Sequence, residues 1–160
     1  ICHNMSLGDR TDTVAFTADL DTVNHVSSNH SGQSIEVEMR SLDSMVSGIE
    51  AELIMLKIDV EGYETSVLSG AKELLNDDRL CAIIIELNGS GSKYGYNEDD
   101  IHESLLSVGF APYYYDALTR QITPAQKRNF TENTIYLRDL KLLEERIEAA
   151  EKIKVFNLVF

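Results

Sequence analysis

The stretch Leu56–Glu64 reads LKIDVEGYE, and it decides the fold that the sequence predicts. It closes a nearly continuous apolar run, Leu53–Val60, which is typical of a parallel strand covered on both faces. Apolar residues at helical spacing follow from about Thr65 to Leu75, so a helix comes directly after the strand. A second apolar run, Leu80–Leu87, is followed by a helix pattern from Glu98. This alternation indicates an α/β domain with a parallel sheet.

Polar side chains stand where these two buried strands end. Asp59 and Glu61 close the first strand, and Glu86 and Asn88 close the second. In open α/β sheets, ligands bind beyond the carboxyl ends of the strands. The four residues therefore predict one shared site, and this site is the main reason to expect an enzyme.

The flanking segments extend the same pattern. Short strands are predicted before the first helix, the closing section is predicted to be antiparallel, and a charged helix with a period of three to four follows. The short strands cover residues 1–7, Thr13–Thr17 and Ser34–Met39. Ser41 is the predicted N-cap of the short helix that follows the third of them. The antiparallel section is Phe110–Leu137. Residues 18–34 are predicted as a loop. The chain thus divides into a domain at 1–137 and a C-terminal helix with an apolar tail at 138–160.

Composition bounds the function. The 160 residues suffice for one domain with a sizeable core. The net charge of -13 argues against a nucleic-acid partner, which needs a basic face. No apolar run approaches the length of about 18 residues that a membrane span requires. Cys2 and Cys81 show no metal-type or disulfide pattern. The compartment stays open, with the cytoplasm favoured.

Three segments, Lys57–Glu64, Val67–Ala71 and Ile85–Asn88, together resemble the central signature of the FkbM-type methyltransferases. The flanking segments Leu7–Asp9, Arg40–Asp43 and Asn133–Tyr136 fit the same family. The resemblance covers about residues 1–138 and is specific in its middle third. It implies a Rossmann-like class I methyltransferase sheet and S-adenosylmethionine as cofactor. The implied activity is O-methylation of a hydroxyl on a small acceptor such as a sugar or another secondary metabolite.

The sequence departs from that family at its start. The glycine-rich loop after the family's first strand and the acidic end of its second are both absent, and the chain begins with Ile1. We therefore expect a sheet that lacks the first two strands, so that residues 1–8 lack their native partner, the family's second strand, and Leu53–Val60 presents an open edge. An open edge favours association. A homo-oligomer is expected through this edge or the C-terminal helix, with weak or no cofactor binding and no turnover.

Methyl transfer to a hydroxyl needs in-line positioning and removal of a proton. Asp59 is the first candidate for a catalytic base and Glu61 the second. The resemblance further places Leu7, Gly8 and Asp9 near the adenine and makes Asp59 a cofactor-binding residue. The predicted acceptor-binding residues are Glu86, Asn88, Tyr94 and Tyr96.

A magnesium site is a sharper hypothesis, by analogy with the catechol O-methyltransferase class. Asp59, Glu86 and Asn88 would supply the oxygen ligands that Mg²⁺ prefers, and the metal would lower the pKa of a bound hydroxyl. Two structural roles remain open beside it. In the first, Asp59 and Glu86 are structural acids bonded to neighbouring backbone amides. In the second, Lys57 pairs with one of these carboxylates, because buried charges are usually paired.

The alternative from a different class is a non-catalytic interaction module. Its acidic strand ends would be remnants, and the helix and tail at 138–160 would be the working surface. A metal-dependent α/β hydrolase is disfavoured, because the sequence has no nucleophile elbow, His-bearing metal motif or phosphate loop.

Overall fold

The structure is a computed structural model that describes residues 1–21, 24–27, 32–130, 132–155 and 158–159. The strands within these residues are β1 (Ser6–Leu7), β2 (Asp12–Thr17), β3 (Ser34–Arg40), β4 (Ile54–Ile58), β5 (Leu80–Glu86), β6 (Ala111–Asp116), β7 (Gln121–Pro124), β8 (Asn133–Leu137), β9 (Lys154–Val155) and β10 (Leu158–Val159). The helices are α1 (Leu42–Val46), α2 (Glu64–Ser69), α3 (Lys72–Leu75), α4 (Glu98–Ser107) and α5 (Leu140–Ala149), with a 3₁₀-helix at Ser90–Tyr94.

The central sheet has the strand order β4-β5-β8-β6-β7 in the described part of the chain. β4 and β5 are parallel, whereas β5–β8, β8–β6 and β6–β7 are all antiparallel pairs. The last strand of the sheet in the chain, β8, therefore lies between β5 and β6. These pairings confirm the predicted parallel pair and the predicted antiparallel closing section.

β5 lies inside this sheet and carries the core. Leu80, Ile83 and Ile85 are fully buried, because β5 has a strand on each side and helices packed over one face. Side chains from α2, α3 and α4 complete the main core cluster. The strand β5, Leu80–Glu86, therefore agrees with the buried strand that the sequence predicts at Leu80–Leu87.

β4 is an edge strand within the described residues, since it pairs with β5 and with no other described strand. Ile58 faces the core and is buried, whereas Met55 is 64% exposed on the opposite face. The expectation that this strand is covered on both faces is therefore correct for one face only. The predicted open edge is present in the described chain.

A smaller sheet of order β1-β3-β2 stands beside the central one. β1 runs parallel to β3, and β2 runs antiparallel to it. The first strand thus has a partner from within the chain, although only Ser6 and Leu7 of the predicted strand 1–7 take part. The predicted loop at 18–34 lies partly outside the described residues, at 22–23 and 28–31.

The helix predicted from 65 to 75 is two helices that meet at Gly70. The buried Gly70 packs against the Gly8 carbonyl, in a space where a side chain would collide. The Asp43 carboxylate then accepts the backbone N–H groups of Glu73 (3.0 Å) and Leu74 (3.0 Å). Asp43 thereby caps the start of α3 from a position on α1, which satisfies donors that an uncapped helix start leaves free.

The C-terminal helix is present as α5, with the Asp139 carboxylate accepting the Leu142 N–H at 3.2 Å as its N-cap. Leu140 and Leu143 pack against a second apolar cluster on the central sheet. The predicted apolar tail lies partly outside the described residues, and its described strands β9 and β10 pair antiparallel. Within the described chain, no helix combines the length and the apolar character needed to cross a membrane.

Substituting Gly70→Ala should lower the free energy of unfolding by about 1–3 kcal/mol, because the added methyl group overpacks the contact with Gly8. Urea denaturation measures the change. Ser69→Ala, at an exposed position one residue earlier, should stay within about 0.5 kcal/mol of the unmodified protein. Equal stability of the two variants would contradict the close packing at Gly70.

Candidate functional site

β4 and β5 end side by side at one edge of the central sheet. Their register pairs Ile58 with Ile85, so Asp59 and Glu86 follow at neighbouring positions. The loop at residues 59–63 and the longer loop at 87–97 both leave the sheet at this edge. The structure thus brings the ends of the two predicted strands together, as a shared site requires.

A cavity of about 230 Å³ opens beside the end of β4. Its walls include Leu7, Phe16, Val60 and Tyr63, and Asp59 also belongs to the lining. Leu7 comes from β1 and Asp59 follows β4, so the small sheet and the central sheet both contribute to the cavity. Two of the predicted cofactor-binding residues therefore share one cavity.

The Asp59 carboxylate forms an ion pair with Lys57. The Lys57 Nζ atom lies 3.0 Å from Asp59 Oδ2, and both side chains are roughly half exposed. The alternative in which Lys57 pairs with a site carboxylate is thus observed, although at the surface and not in the interior. Because both side chains are exposed, this pair contributes little to stability.

Gly8 and Asp9, the other residues predicted near the adenine, contact the protein itself. Gly8 is buried between Met39 and Gly70, where it has no room for a side chain. The Asp9 carboxylate accepts a hydrogen bond from Ser66 Oγ (3.4 Å) and pairs with Arg10 (3.0 Å). Neither residue belongs to the lining of the cavity that contains Leu7 and Asp59.

The loop after β4 has an unusual backbone. Glu61 has a φ of 54°, in the left-handed region that residues other than glycine rarely adopt, and Gly62 has a φ of 105°. Gly62 lies directly against the backbone of Ser90 in the other loop, and a Cβ atom there would collide with it. A glycine allows a close approach to its backbone, and at Gly62 this approach is made by the neighbouring loop.

Glu64 is the most deeply buried acid of this region, with an exposed fraction of 3%. Its Oε1 atom accepts the backbone N–H groups of Val60 (3.2 Å) and Gly62 (3.2 Å). Burial raises the pKa of the Glu64 carboxyl above its ordinary value of 4.5, while these hydrogen bonds act in the opposite direction. Glu64 is the first residue of α2, and its carboxylate turns back onto the preceding loop.

Glu98 repeats this arrangement on the second loop. It is the first residue of α4, is 6% exposed, and accepts the N–H groups of Gly89 (2.9 Å) and Gly91 (3.1 Å). The guanidinium of the buried Arg128 lies 3.7 Å from Glu98 and donates to the Leu87 carbonyl at 3.1 Å. The sequence predicts the start of a helix at Glu98, and it offers no motif that marks Arg128. The position of Glu98 directly after a glycine-rich loop was the available signal.

Glu86 and Asn88, predicted for the acceptor and for a metal, contact one another. Asn88 Nδ2 donates to Glu86 Oε1 at 3.1 Å, and Asn88 Oδ1 accepts the Ser90 N–H at 3.0 Å. Among the described residues, no group of three or more His, Cys, Asp and Glu side chains could hold a metal ion. The predicted magnesium site therefore finds no support in the structure.

Tyr94 and Tyr96 belong to an aromatic cluster with Tyr63. The Tyr63 and Tyr94 rings meet edge to face with centroids 5.1 Å apart, and those of Tyr94 and Tyr96 are 6.2 Å apart. Burial raises the pKa of Tyr94 to about 12, and its hydroxyl donates to the Val26 carbonyl at 2.5 Å. Tyr94 thus packs against Tyr63, which lines the cavity, and its hydrogen bond fastens the segment around Val26.

The fold and this edge define a class. A sheet whose parallel strands end in carboxylates beside a partly apolar cavity is the arrangement of α/β proteins that bind small molecules at their strand ends. The profile of the methyltransferase FkbM domain matches residues 3–112, more than half of the 160 residues. The chain belongs to the FkbM methyltransferase domain family.

One solved structure similar to this chain is the methyltransferase FkbM from Methylobacillus flagellatus KT. The two have 18% sequence identity and a TM-score of 0.46, and the match covers 84% of this chain and 27% of the other. The chain therefore spans about a quarter of the length of that protein. No curated protein gave a significant match.

Replacing Tyr94 with Phe should lower the free energy of unfolding by about 0.5–1.5 kcal/mol, because the Val26 carbonyl loses its donor. Chemical denaturation gives this value. Tyr114→Phe is the matched control, since Tyr114 is exposed on β6, and it should change stability by less than about 0.5 kcal/mol. If both variants are equally stable, the Tyr94 hydroxyl does not fasten the Val26 segment.

Proposed function

We propose that this domain belongs to an S-adenosylmethionine-dependent methyltransferase that transfers a methyl group to a hydroxyl of a small acceptor. Membership of the FkbM methyltransferase family supports the reaction class. The observation that carries the proposal is the position of Asp59 at the end of β4, in the lining of the same cavity as Leu7. A Rossmann-like class I arrangement of the whole sheet is part of the same proposal.

The cavity fits part of the cofactor. Leu7, Phe16, Val60 and Tyr63 offer apolar walls to a flat base, and Asp59 offers an acceptor to hydroxyl groups. Its volume of about 230 Å³ is below the range of about 300–1,000 Å³ that small-molecule sites usually have. These residues alone should therefore bind the cofactor weakly. S-adenosylmethionine, when bound, supplies an electrophilic methyl group.

The protein's own part in the reaction is to position the acceptor and remove a proton. Asp59 is the proposed base, because it lies at the cavity beside the end of β4, with Lys57 as its ion-pair partner. Glu61 is the second candidate, because it lies in the same loop, two residues after Asp59. Its backbone has a left-handed φ of 54°. Glu86, Asn88, Tyr94 and Tyr96 are proposed for the acceptor side. Of these, Glu86 and Asn88 offer polar groups at the sheet edge.

A titration with S-adenosylhomocysteine followed by two-dimensional NMR tests this proposal, because the method detects weak binding. We expect the amides of Leu7, Val60 and Tyr63 to shift with a Kd near the millimolar range, about -4 kcal/mol. Asp59→Asn should weaken the Kd by about tenfold, because a charge-assisted hydrogen bond is lost.

Asp78→Asn is the control for this titration, since Asp78 is an exposed carboxylate in the turn before β5, at the other end of the strand. It should leave the Kd unchanged. Repeating the titration with Mg²⁺ tests the metal hypothesis, and an unchanged Kd is expected. Absence of any shift in folded protein, or shifts confined to residues away from the cavity, would count against the proposed site.

A second candidate function, binding of another protein surface, is favoured by one observation. An apolar cavity of about 310 Å³ lies between the central sheet and α5, lined by residues that include Met55, Ile84, Leu143 and Ile147. The exposed Met55 stands at the open edge of β4. As the alternative, we propose that two copies of the chain associate through the open edge of β4 and through α5. The helix α5 lies within the segment 138–160.

Sedimentation velocity tests the alternative at increasing protein concentration. Met55→Lys should shift the protein toward the monomer, because it places a charge on the apolar edge. Leu118→Lys changes an equally exposed apolar residue in the turn between β6 and β7, and it should behave like the unmodified protein. A monomer at every concentration in all three proteins would exclude self-association.

A further inference from the structure

The two loops at the site edge are held from within by a matched pair of glutamates. Glu64 is the first residue of α2 and Glu98 is the first residue of α4, so each follows the loop that it holds. Both side chains are buried, and both direct their carboxylates at backbone N–H groups of the preceding loop. Neither residue belongs to the lining of the cavity that contains Asp59.

The Glu64 carboxylate fixes the part of the chain that carries Asp59 and Glu61. The N–H groups that it accepts belong to Val60 and Gly62, on either side of Glu61. Glu61 is thereby clamped at its left-handed φ of 54°. A backbone of this kind persists only where its surroundings fix it from several sides.

The Glu98 carboxylate does the same for the loop that follows Glu86 and Asn88. It accepts the Gly89 and Gly91 N–H groups, and Arg128 holds the Leu87 carbonyl of the same loop. Arg128 also balances the charge of Glu98, at 3.7 Å. The second loop is therefore tied at three backbone positions.

The two loops are not independent, because Gly62 lies directly against the Ser90 backbone. A displacement of one loop therefore displaces the other loop as well. The spacing between the end of β4 and the end of β5 depends on both glutamates at once.

We propose that Glu64 and Glu98 are positioning residues: they set the loops that present Asp59 and Glu61 on one side and Glu86 and Asn88 on the other. They act through backbone amides and touch neither acceptor nor cofactor. Their part in catalysis rests on the proposed function, whereas their hold on the loops does not.

The geometry distinguishes hydrogen bonding from charge at Glu64. A single atom, Oε1, accepts both N–H groups, so the carbonyl oxygen of Gln can replace it in Glu64→Gln. Glu64→Asp keeps the charge but withdraws the acceptor by one methylene. Glu64→Ala removes both. Glu73→Ala is the control, because Glu73 is an exposed acid in the first turn of α3.

Amide hydrogen exchange of Val60 and Gly62 is the first readout. Exchange should be about tenfold or more faster in Glu64→Ala and Glu64→Asp, because the hydrogen bonds that close the loop are lost. Glu64→Gln should stay within about threefold of the unmodified protein, and Glu73→Ala should not change these amides. If Glu64→Ala does not fold, the comparison of Gln with Asp decides. Equal exchange in those two variants would overturn the proposal.

The second readout is the S-adenosylhomocysteine titration of the same variants. The Kd reported by the Val60 amide should weaken about tenfold in Glu64→Asp and recover in Glu64→Gln. If the unmodified protein shows no response, the proposed function fails, and the exchange data still judge the hold on the loops. A Glu64→Asp variant with fast exchange and an unchanged Kd would refute the positioning role.

Discussion

The parallel pairing of β4 with β5 is the constraint on which the rest of the structure depends. Its register sets Ile58 beside Ile85, and every polar group at the site edge follows from that alignment. A slip of β4 by one residue would turn Ile58 away from the core and bring Lys57 or Asp59 inward. Burial of the two isoleucines therefore determines where the carboxylates stand.

The acids of this region divide into two kinds by what surrounds them. Asp59 and Glu86 are partly exposed and bonded to neighbouring side chains, namely Lys57 and Asn88. Glu64 and Glu98 are buried and bonded to backbone amides. Burying a carboxylate is unfavourable unless its oxygens are satisfied, so the buried acids require loops that offer N–H groups at these positions. Gly91 makes the close approach of Glu98 possible, because a Cβ atom at Gly91 would lie only 3.2 Å from Glu98 Cγ.

Much of the fold could be predicted from local patterns. The apolar runs of β4 and β5, the alternation in β3 and the spacing in α4 and α5 each depend on neighbours in the chain. The break at Gly70 could not be predicted, because it depends on the Gly8 carbonyl and on Asp43, both distant in sequence. The exposed face of Met55 also escaped prediction, since an apolar run does not tell which strands cover it.

The same limit applies to the site. The strand ends marked Asp59, Glu61, Glu86 and Asn88 as neighbours at one edge, and the register agrees with this. Periodicity cannot say where a side chain turns, so the inward direction of Glu64 and the hydrogen bond of Tyr94 to Val26 were not foreseen. Arg128 lies in a polar segment without a motif, and only the fold brings it to Glu98.

The position of Arg128 in the chain has a consequence for how the molecule folds. Its guanidinium bonds the Leu87 carbonyl across 41 residues, and its charge neutralises Glu98 from the segment between β7 and β8. Contacts that close long loops form late, because the entropy of closure is lost before the contact forms. The loop at residues 87–97 should therefore become ordered only after the β6–β7 hairpin has docked on the sheet. An ordered loop at this edge then indicates that the whole domain has folded.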